Sequence, residues 1–210
     1  MDKFQAAESS QRRATYQDVL DAPPNKVAEV IDGKLHTHSR PASPHAKAYS
    51  FLGGLLNLRF EHGDGGPGGW WIINEPELHL GDDILVPDIA GWRRSGMPVY
   101  PNVKYFTQSP DWVCEILSPS TRHIDLGRKR AIYAREGVEF LWIVDADARS
   151  LDAYMLRKGK WELIDTLSED ADVALPPFEA VCFNLNRLWL PRTVHRELQQ
   201  AVPEFSAAAK

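Results

Sequence analysis

The strongest pattern of apolar and polar positions lies in residues 111–145. Two apolar stretches, 112–117 and 140–144, flank a segment of helical length that ends at a glycine. A strand, a helix and a second strand in this order are typical of a crossover unit whose parallel strands are buried on both faces. Two charged residues interrupt the pattern, because Glu115 lies inside the first strand and Lys129 lies on the apolar face of the helix.

The orientation of Lys129 follows from helical geometry. A rotation of about 100° per residue places four side chains on one arc, namely Leu126, Lys129, Ile132 and Tyr133. Asp125 precedes Lys129 by one turn. A buried ammonium group needs a partner, since burying it unpaired costs several kcal/mol. We therefore expect Lys129 to face the sheet rather than water and to pair with Glu115.

Weaker patterns on either side of this unit predict the other elements. They are a helix from its N-cap Thr15 to Leu20, a hairpin over 27–38 that turns at Asp32 and Gly33, an amphipathic helix over 45–60, a glycine-rich loop over 63–69, strands over 70–73 and 84–92, a hairpin over 151–165, and an apolar segment over 178–190. Pro87 favours an edge or a bulge within the strand 84–92. We expect this irregularity to turn Asp88, an acid within an apolar strand, toward a cleft.

Length and composition indicate a single globular domain of the α/β class, with α+β mixed character. The 210 residues are 43% hydrophobic and 25% charged, a balance that suits a soluble domain with a sizeable core. We assign the domain to residues 14–192, between a disordered N-terminal tail, 1–13, and a C-terminal tail, 193–210. Cys114 and Cys182 are expected to be small buried side chains in a reducing compartment. Because no apolar run approaches the roughly 20 residues of a membrane span, we expect a cytoplasmic protein without membrane contact.

Three ionisable residues on surfaces predicted to be buried call for a joint explanation. Asp88 and Glu115 lie in successive predicted strands, and Lys129 lies on the helix that follows Glu115. Two neighbouring carboxylates repel each other unless a cation lies between them, and oxygen ligands suit Mg²⁺ or Mn²⁺. A metal at this position could hold a phosphate oxygen and activate a water molecule, while Lys129 stabilises the developing charge. This chemistry is typical of a phosphodiester hydrolase.

The order and spacing of several motifs resemble a known family. These motifs are TYQDVLD, AEVIDGKL, Pro44-His45, VPDIAGW, PDWVCEILSPST, the helical series Asp125, Lys129 and Tyr133, and GVEFLWIVD. From about Thr15 to Pro191 the chain is similar to the Uma2 family of restriction-type endonucleases, within the PD-(D/E)XK nuclease superfamily. The resemblance implies a restriction-endonuclease-like core, in which helices flank a central mixed β-sheet.

The resemblance also implies roles for particular residues. Asp88 and Glu115 match the metal-binding acids of the superfamily, and the backbone carbonyl of Ile116 is a further expected ligand for Mg²⁺ or Mn²⁺. The usual catalytic lysine position holds Leu117, and the family's lysine on the following helix corresponds to Lys129. Four accessory residues complete the expected site: Glu29, His45, Asp125 and Tyr133. The implied activity is DNA endonuclease activity by a homodimer, with no organic cofactor.

Each accessory residue also has a structural interpretation. Glu29 suits the exposed face of a hairpin equally well, and His45 suits a capping position near a helix start. Tyr133 suits a core aromatic residue whose hydroxyl is satisfied by Asp125 or solvent. A zinc site formed by His36, His38 and His45 is a weaker alternative, because no Cys, Asp or Glu lies at ligand spacing to complete it.

A cluster of basic residues is the candidate contact for nucleic acid. The net charge of −5 argues against a protein that coats nucleic acid non-specifically, but it permits a local basic groove. The candidate phosphate contacts are Arg93, Arg94, Arg122, Arg128 and Arg130. The alternative is a solvated helix face paired with Asp125 and Glu136.

Two competing functions remain open. One is a nuclease fold with little or no catalytic activity that binds nucleic acid or a protein partner. The other is a structural homo-oligomer stabilised by a buried ion-pair network.

Overall fold

The structure is a computed structural model that describes residues 12–39 and 42–191. Of the two predicted tails, only Arg12 and Arg13 fall within the described residues, and Arg12 forms an ion pair with Asp18 at 2.6 Å. No helix in the described part of the chain is long and apolar enough to cross a membrane.

The described residues form twelve strands and four α-helical segments. The strands are β1 (Lys26–Ile31), β2 (Lys34–Ser39), β3 (Trp70–Asn74), β4 (Leu78–Leu80), β5 (Asp83–Leu85), β6 (Ile89–Arg93), β7 (Trp112–Ile116), β8 (Phe140–Asp145), β9 (Ser150–Arg157), β10 (Lys160–Ser168), β11 (Asp172–Val173) and β12 (Phe183–Asn184). The helices are α1 (Tyr16–Leu20), α2 (Ser43–Leu56), α3 (Arg122–Ile124) and α4 (Arg130–Arg135), with π-helical turns at Asn57–Glu61 and Asp125–Lys129 and a 3₁₀ turn at Leu185–Leu188.

The larger sheet has six strands in the order β10-β9-β8-β7-β6-β3. Strands β7 and β8 run parallel, and the other neighbours in this sheet run antiparallel. The parallel pair is joined through α3, a π-helical turn and α4, which confirms the predicted crossover unit. The fold is therefore a mixed α+β fold with a central mixed sheet, as expected.

The smaller sheet has the order β2-β1-β5-β4 and contains the predicted hairpin. The hairpin turns at Asp32 and Gly33, whose φ values of 53° and 74° suit the two-residue turns that connect antiparallel strands. The prediction of a single strand over 84–92 is wrong. The chain forms β5 in the smaller sheet, leaves it at Val86, and forms β6 in the larger sheet. Pro87 lacks a backbone N–H for a strand ladder, and the change of sheet occurs there.

The core lies on both faces of the larger sheet because alternate residues of a strand point to opposite faces. Trp112 and Cys114 of β7 belong to the cluster that packs against α2, whereas Val113 belongs to the opposite cluster with Tyr133 of α4. The prediction that both cysteines are buried is half right, since Cys182 is exposed.

The crossover helix is not regular, and the irregularity falls at the residues of interest. A π-helical turn occupies Asp125–Lys129, and it buries both of its end residues. Leu126, predicted to share the buried arc, is 37% exposed. The prediction assumed a regular α-helix of about 100° per residue, whereas a π-helical turn changes the angular spacing of the side chains.

Candidate active site

The side chain of Lys129 meets carboxylates from three different elements. Its Nζ lies 2.9 Å from Oε1 of Glu115 in β7, 3.1 Å from Oε1 of Glu29 in β1, and 3.6 Å from Oδ1 of Asp125. Lys129 is only 2% exposed. The prediction that Lys129 faces the sheet and pairs with Glu115 is confirmed, and the strand residue Glu29 joins them from the other sheet.

The protonation states follow from burial and from the excess of carboxylates over ammonium groups. Burial lowers the pKa of Lys129, but Glu115 and Glu29 outweigh this effect and raise the pKa well above its ordinary value. Burial raises the pKa of Glu115 well above its ordinary value, even though Lys129 opposes this shift. Burial also raises the pKa of Glu29, but Lys129 and His38 bring it down to about 2. Lys129 is therefore charged, and Glu115 is the acid that holds a proton more readily than Glu29 does.

Asp88 lies in the segment that carries the chain from β5 to β6. Its Oδ2 accepts a hydrogen bond of 2.7 Å from the backbone N–H of Ile116. Its Oδ1 lies 3.0 Å from Nε2 of His45. Asp88 is thus held beside the end of β7, next to Glu115. Ile116 contributes its N–H to this arrangement, and the role of its carbonyl as a metal ligand stays a prediction.

Glu29 and His45 are both buried beside the site, and of the two His45 lines the cavity. Glu29 is 2% exposed, so its interpretation as an exposed hairpin residue is wrong. Its Oε1 accepts a 2.8 Å hydrogen bond from the backbone N–H of Val86, and its Oε2 lies 3.6 Å from Nε2 of His38. His45 is 8% exposed, with its Nδ1 lacking a hydrogen-bond partner among the described residues and its Nε2 turned toward Asp88. His45 therefore does not cap the helix.

Tyr133 and Asp125 complete the surroundings of the ion pair. The hydroxyl of Tyr133 donates a 2.6 Å hydrogen bond to Oε1 of Glu115. The expectation that Asp125 or solvent satisfies this hydroxyl is wrong. Burial and the nearby Glu115 raise the pKa of Tyr133 well above its ordinary value, so it remains a donor. Burial likewise raises the pKa of Asp125, although Lys129 and the side chain of Thr121 oppose the change.

A cavity of about 30 Å³ lies among these groups, with room for a water molecule or an ion of similar size. Its lining includes Asp88, Glu115 and Lys129. His38, named in the sequence analysis only for the alternative zinc site, also lines it. Sequence reasoning missed three further polar residues of the lining: Glu75, Ser118 and Thr121. The last two were visible only as a strand-ending Ser-Pro-Ser-Thr turn. Glu75 has a φ of 49°, a strained value that no sequence pattern signals.

The structure does not assemble the alternative zinc site. His38 faces Glu29 and His45 faces Asp88, so these histidines have separate partners. Among the described residues, no group of three or more His, Cys, Asp or Glu side chains has the spacing needed to hold a metal ion. A metal at this cavity would therefore take part of its coordination from water or backbone oxygen.

The five candidate arginines have partners within the protein, and none is among the described residues that line the cavity. Arg93 pairs with Asp111 and Glu139, Arg94 stacks on Trp71, Arg122 pairs with Asp145, Arg128 lies 3.8 Å from Asp32, and Arg130 stacks on Tyr154. None of these partners is Asp125 or Glu136, the two residues expected to pair with the arginines on a solvated helix face. Arg93 and Arg94 lie at the opposite end of β6 from Asp88. The structure therefore does not gather the five into one patch at the site.

Comparisons with known proteins agree with this architecture. The chain is similar to a crystal structure described as a putative nuclease belonging to DUF820 from Anabaena variabilis, with a TM-score of 0.68 and 24% sequence identity over 83% of this chain and 97% of that chain. This likeness shows a shared fold. No curated protein matches the chain. The sequence model of the Uma2 family, described as "Putative restriction endonuclease", matches residues 13–186, which supports nuclease function in general terms. The chain belongs to the Uma2 family.

Proposed function

We propose that this protein is a metal-dependent endonuclease that hydrolyses the phosphodiester bonds of DNA. The observation that carries the proposal is the buried ammonium of Lys129, which lies 2.9 Å from Glu115 in the same cavity as Asp88. A buried charged cluster in a cavity, with pKa values displaced by burial and by charged neighbours, is typical of a functional site. Membership of the Uma2 family supports a nuclease, and the choice of DNA as substrate rests on the sequence resemblance.

The donor set fits Mg²⁺ or Mn²⁺. Asp88 and Glu115 supply carboxylate oxygens, which hard divalent cations prefer, and Mg²⁺ commonly uses one or two carboxylates with several water molecules. Three carboxyl groups surround the single ammonium of Lys129, which also favours a cation. We propose that Asp88, Glu115 and the carbonyl of Ile116 hold the metal. When bound, such an ion polarises a phosphate oxygen and makes a water molecule more acidic.

The protein's own groups have separate tasks in this proposal. Lys129 keeps a fixed positive charge beside the reacting phosphate, where a preorganised charge stabilises the transition state. Glu115 and Glu29 hold the ammonium in place through contacts of 2.9 and 3.1 Å. Tyr133 fixes the carboxylate of Glu115, and the N–H of Ile116 fixes that of Asp88. Each reactive group is thus held by at least one buried partner.

The test is cleavage of supercoiled plasmid by purified protein in the presence of Mg²⁺ or Mn²⁺. We expect nicked and linear products from the wild type and a loss of at least about 100-fold in rate for Asp88→Asn and Lys129→Met. Glu139→Gln is the control, because Glu139 is a surface residue paired with Arg93 outside the cavity. Cutting by Asp88→Asn and Lys129→Met at the wild-type rate would refute the proposal.

A second candidate function is a nuclease-fold module that binds nucleic acid or a protein partner without turnover. It is favoured by Leu117, a buried apolar residue at the position where the superfamily usually has its catalytic lysine. Calorimetry with Mn²⁺ separates the two functions. Binding that is lost in Asp88→Asn and Glu115→Gln supports the enzyme, whereas no binding to the wild type supports the module.

We also propose a homodimer, from the sequence resemblance to nucleases that cut two strands with two subunits. Sedimentation equilibrium of the purified full chain measures the oligomeric state directly. A monomer at micromolar concentration would contradict this part of the proposal.

A further inference from the structure

Val86 has both of its polar backbone groups tied to the charged cluster. Its N–H donates a 2.8 Å hydrogen bond to Oε1 of Glu29. Its carbonyl accepts a 3.3 Å hydrogen bond from Nζ of Lys129. The same Nζ lies 3.1 Å from the same Oε1, so Val86, Glu29 and Lys129 form a closed ring of contacts.

The ring fixes the part of the chain that presents Asp88. Val86 and Asp88 are separated only by Pro87, whose own φ is locked by its ring. A proline also restricts the backbone of the residue before it. Beyond Pro87, the carbonyl of Asp88 accepts a 2.9 Å hydrogen bond from the N–H of Glu75. Little rotational freedom remains between the fixed Val86 and the carboxylate of Asp88.

Both oxygens of Glu29 are already committed to protein groups. Oε1 accepts from Val86 and contacts Lys129, and Oε2 faces His38 at 3.6 Å. Glu29 is also absent from the residues that line the cavity, within the described part of the chain. A metal ligand would need an oxygen directed into that cavity. These contacts suit a residue that holds other groups in place.

We infer that Glu29 is a positioning residue, which acts on Asp88 through Val86 and on the proposed reaction through Lys129, and is not itself a metal ligand. This inference rests on the proposed function for its catalytic consequence, but the link between Glu29 and Val86 stands without it. Glu29 belongs to the smaller sheet, whereas Glu115 belongs to the larger one. Glu29 is therefore connected to Glu115 of the larger sheet through Lys129, which contacts both.

The experiment compares Glu29→Ala, Glu29→Gln and a matched control, Asp83→Asn, in the full chain. Asp83 is also a buried acid of the smaller sheet that accepts a backbone N–H, from Asp32 at 2.7 Å, and binds a cation, Arg135 at 2.8 Å. Asp83 does not line the cavity. It therefore reproduces the loss of a buried acid without touching the site.

The first readout is amide hydrogen exchange by NMR without any metal. In Glu29→Ala we expect exchange at Val86 to accelerate about tenfold relative to core amides such as Cys114, which corresponds to loss of one hydrogen bond. Glu29→Gln keeps a side-chain oxygen as acceptor, so its increase is expected to be smaller. Asp83→Asn is expected to accelerate exchange at Asp32 but not at Val86. Unchanged exchange at Val86 in Glu29→Ala would overturn the inference.

The second readout separates a positioning residue from a metal ligand. For Glu29→Gln we expect a lower kcat in DNA cleavage with little change in KM, and a smaller loss of Mn²⁺ affinity than for Asp88→Asn. Loss of Mn²⁺ affinity equal to that of Asp88→Asn, or a wild-type kcat, would overturn the inference. If the wild type neither binds Mn²⁺ nor cuts DNA, the proposed function fails, and the exchange at Val86 still decides whether Glu29 positions this segment.

Discussion

Nε2 of His45 lies 3.0 Å from Oδ1 of Asp88, and this contact joins α2 to the segment between the two sheets. The other ring nitrogen of His45 is buried without a hydrogen-bond partner among the described residues. The contact with Asp88 therefore gives His45 an orienting role toward a proposed metal ligand.

Replacing His45 with alanine is expected to weaken Mn²⁺ binding by about tenfold, since groups that orient metal ligands typically contribute this much. Isothermal titration calorimetry measures the change. His79→Ala is a matched control, because His79 contacts Glu77 at 2.7 Å outside the cavity. Equal Mn²⁺ affinity in His45→Ala and wild type would contradict an orienting role.

Replacing Tyr133 with phenylalanine removes the hydroxyl that donates to Glu115 at 2.6 Å. We expect a loss of about 1–3 kcal/mol in the free energy of unfolding, because the buried Oε1 of Glu115 loses a donor. Tyr154→Phe is the control, since its hydroxyl contacts Asp152 at 3.4 Å at a partly buried position. Urea unfolding of the three proteins checks the prediction. A cost for Tyr133→Phe no larger than that of the control would count against it.

Replacing Lys129 with methionine is expected to destabilise the fold by about 3–5 kcal/mol at pH 7, because it leaves uncompensated buried carboxylates. The acids concerned are Glu29, Glu115 and Asp125. Urea unfolding measures the change, and adding Glu115→Gln to the same chain is expected to restore part of it. Lys160→Met, on the exposed strand β10, is the control.

The hypothesis of a structural homo-oligomer gives a different outcome for the same variant. It expects Lys129→Met to be tolerated or stabilising, as when a buried ion-pair network is replaced by apolar side chains. Stability equal to the wild type, together with an unchanged oligomer, would favour that hypothesis over a catalytic site.

Asp145 provides a pH-dependent prediction outside the candidate active site. It pairs with Arg122, and its Oδ1 accepts backbone hydrogen bonds from Asp147 and Ala148. Burial raises the pKa of Asp145, but hydrogen bonds from the Ala148 N–H and from Arg122 outweigh burial. The pKa of Asp145 is therefore lower than its ordinary value. Because its pKa is lower in the folded state, its stabilising contribution is present above the unfolded-state value of about 3.9. The contribution is lost as the pH falls through the folded-state pKa.

Asp145→Asn is therefore expected to cost about 1 kcal/mol at pH 7 and progressively less below about pH 4. Urea unfolding of both proteins at pH 7, 4 and 3 tests this difference. A cost that stays constant over the three pH values would contradict the assigned cause.

The pattern of apolar residues was sufficient to predict the parts of the fold held by local periodicity. The crossover unit and the contact of Lys129 with Glu115 both follow from strand and helix spacing. The contact was predictable because a buried ammonium requires a carboxylate, and few carboxylates lie close to Lys129 in the predicted strand and helix. The same argument could not predict that Glu29 also contacts Lys129, because this contact depends on how the hairpin packs against the larger sheet.

Where prediction failed, the deciding interactions were distant in sequence or departed from regular geometry. Strand β5 belongs to the smaller sheet because Ile84 pairs with Val30, a partner that the local pattern does not specify. Leu126 is exposed because a π-helical turn replaces the assumed α-helix. The positive φ of Glu75 has no signal in sequence, because glycine, asparagine and aspartate are the residues usually found with such values.

The passage of the chain from one sheet to the other at Pro87 determines when the site can assemble during synthesis of the protein. Asp88 lies at this passage, Glu29 precedes it, and Glu115 and Lys129 follow it. A growing chain that leaves the ribosome therefore has no complete site until the crossover helix has emerged and packed against both sheets. Fragments that end before this helix are expected to be inert, whatever structure they form.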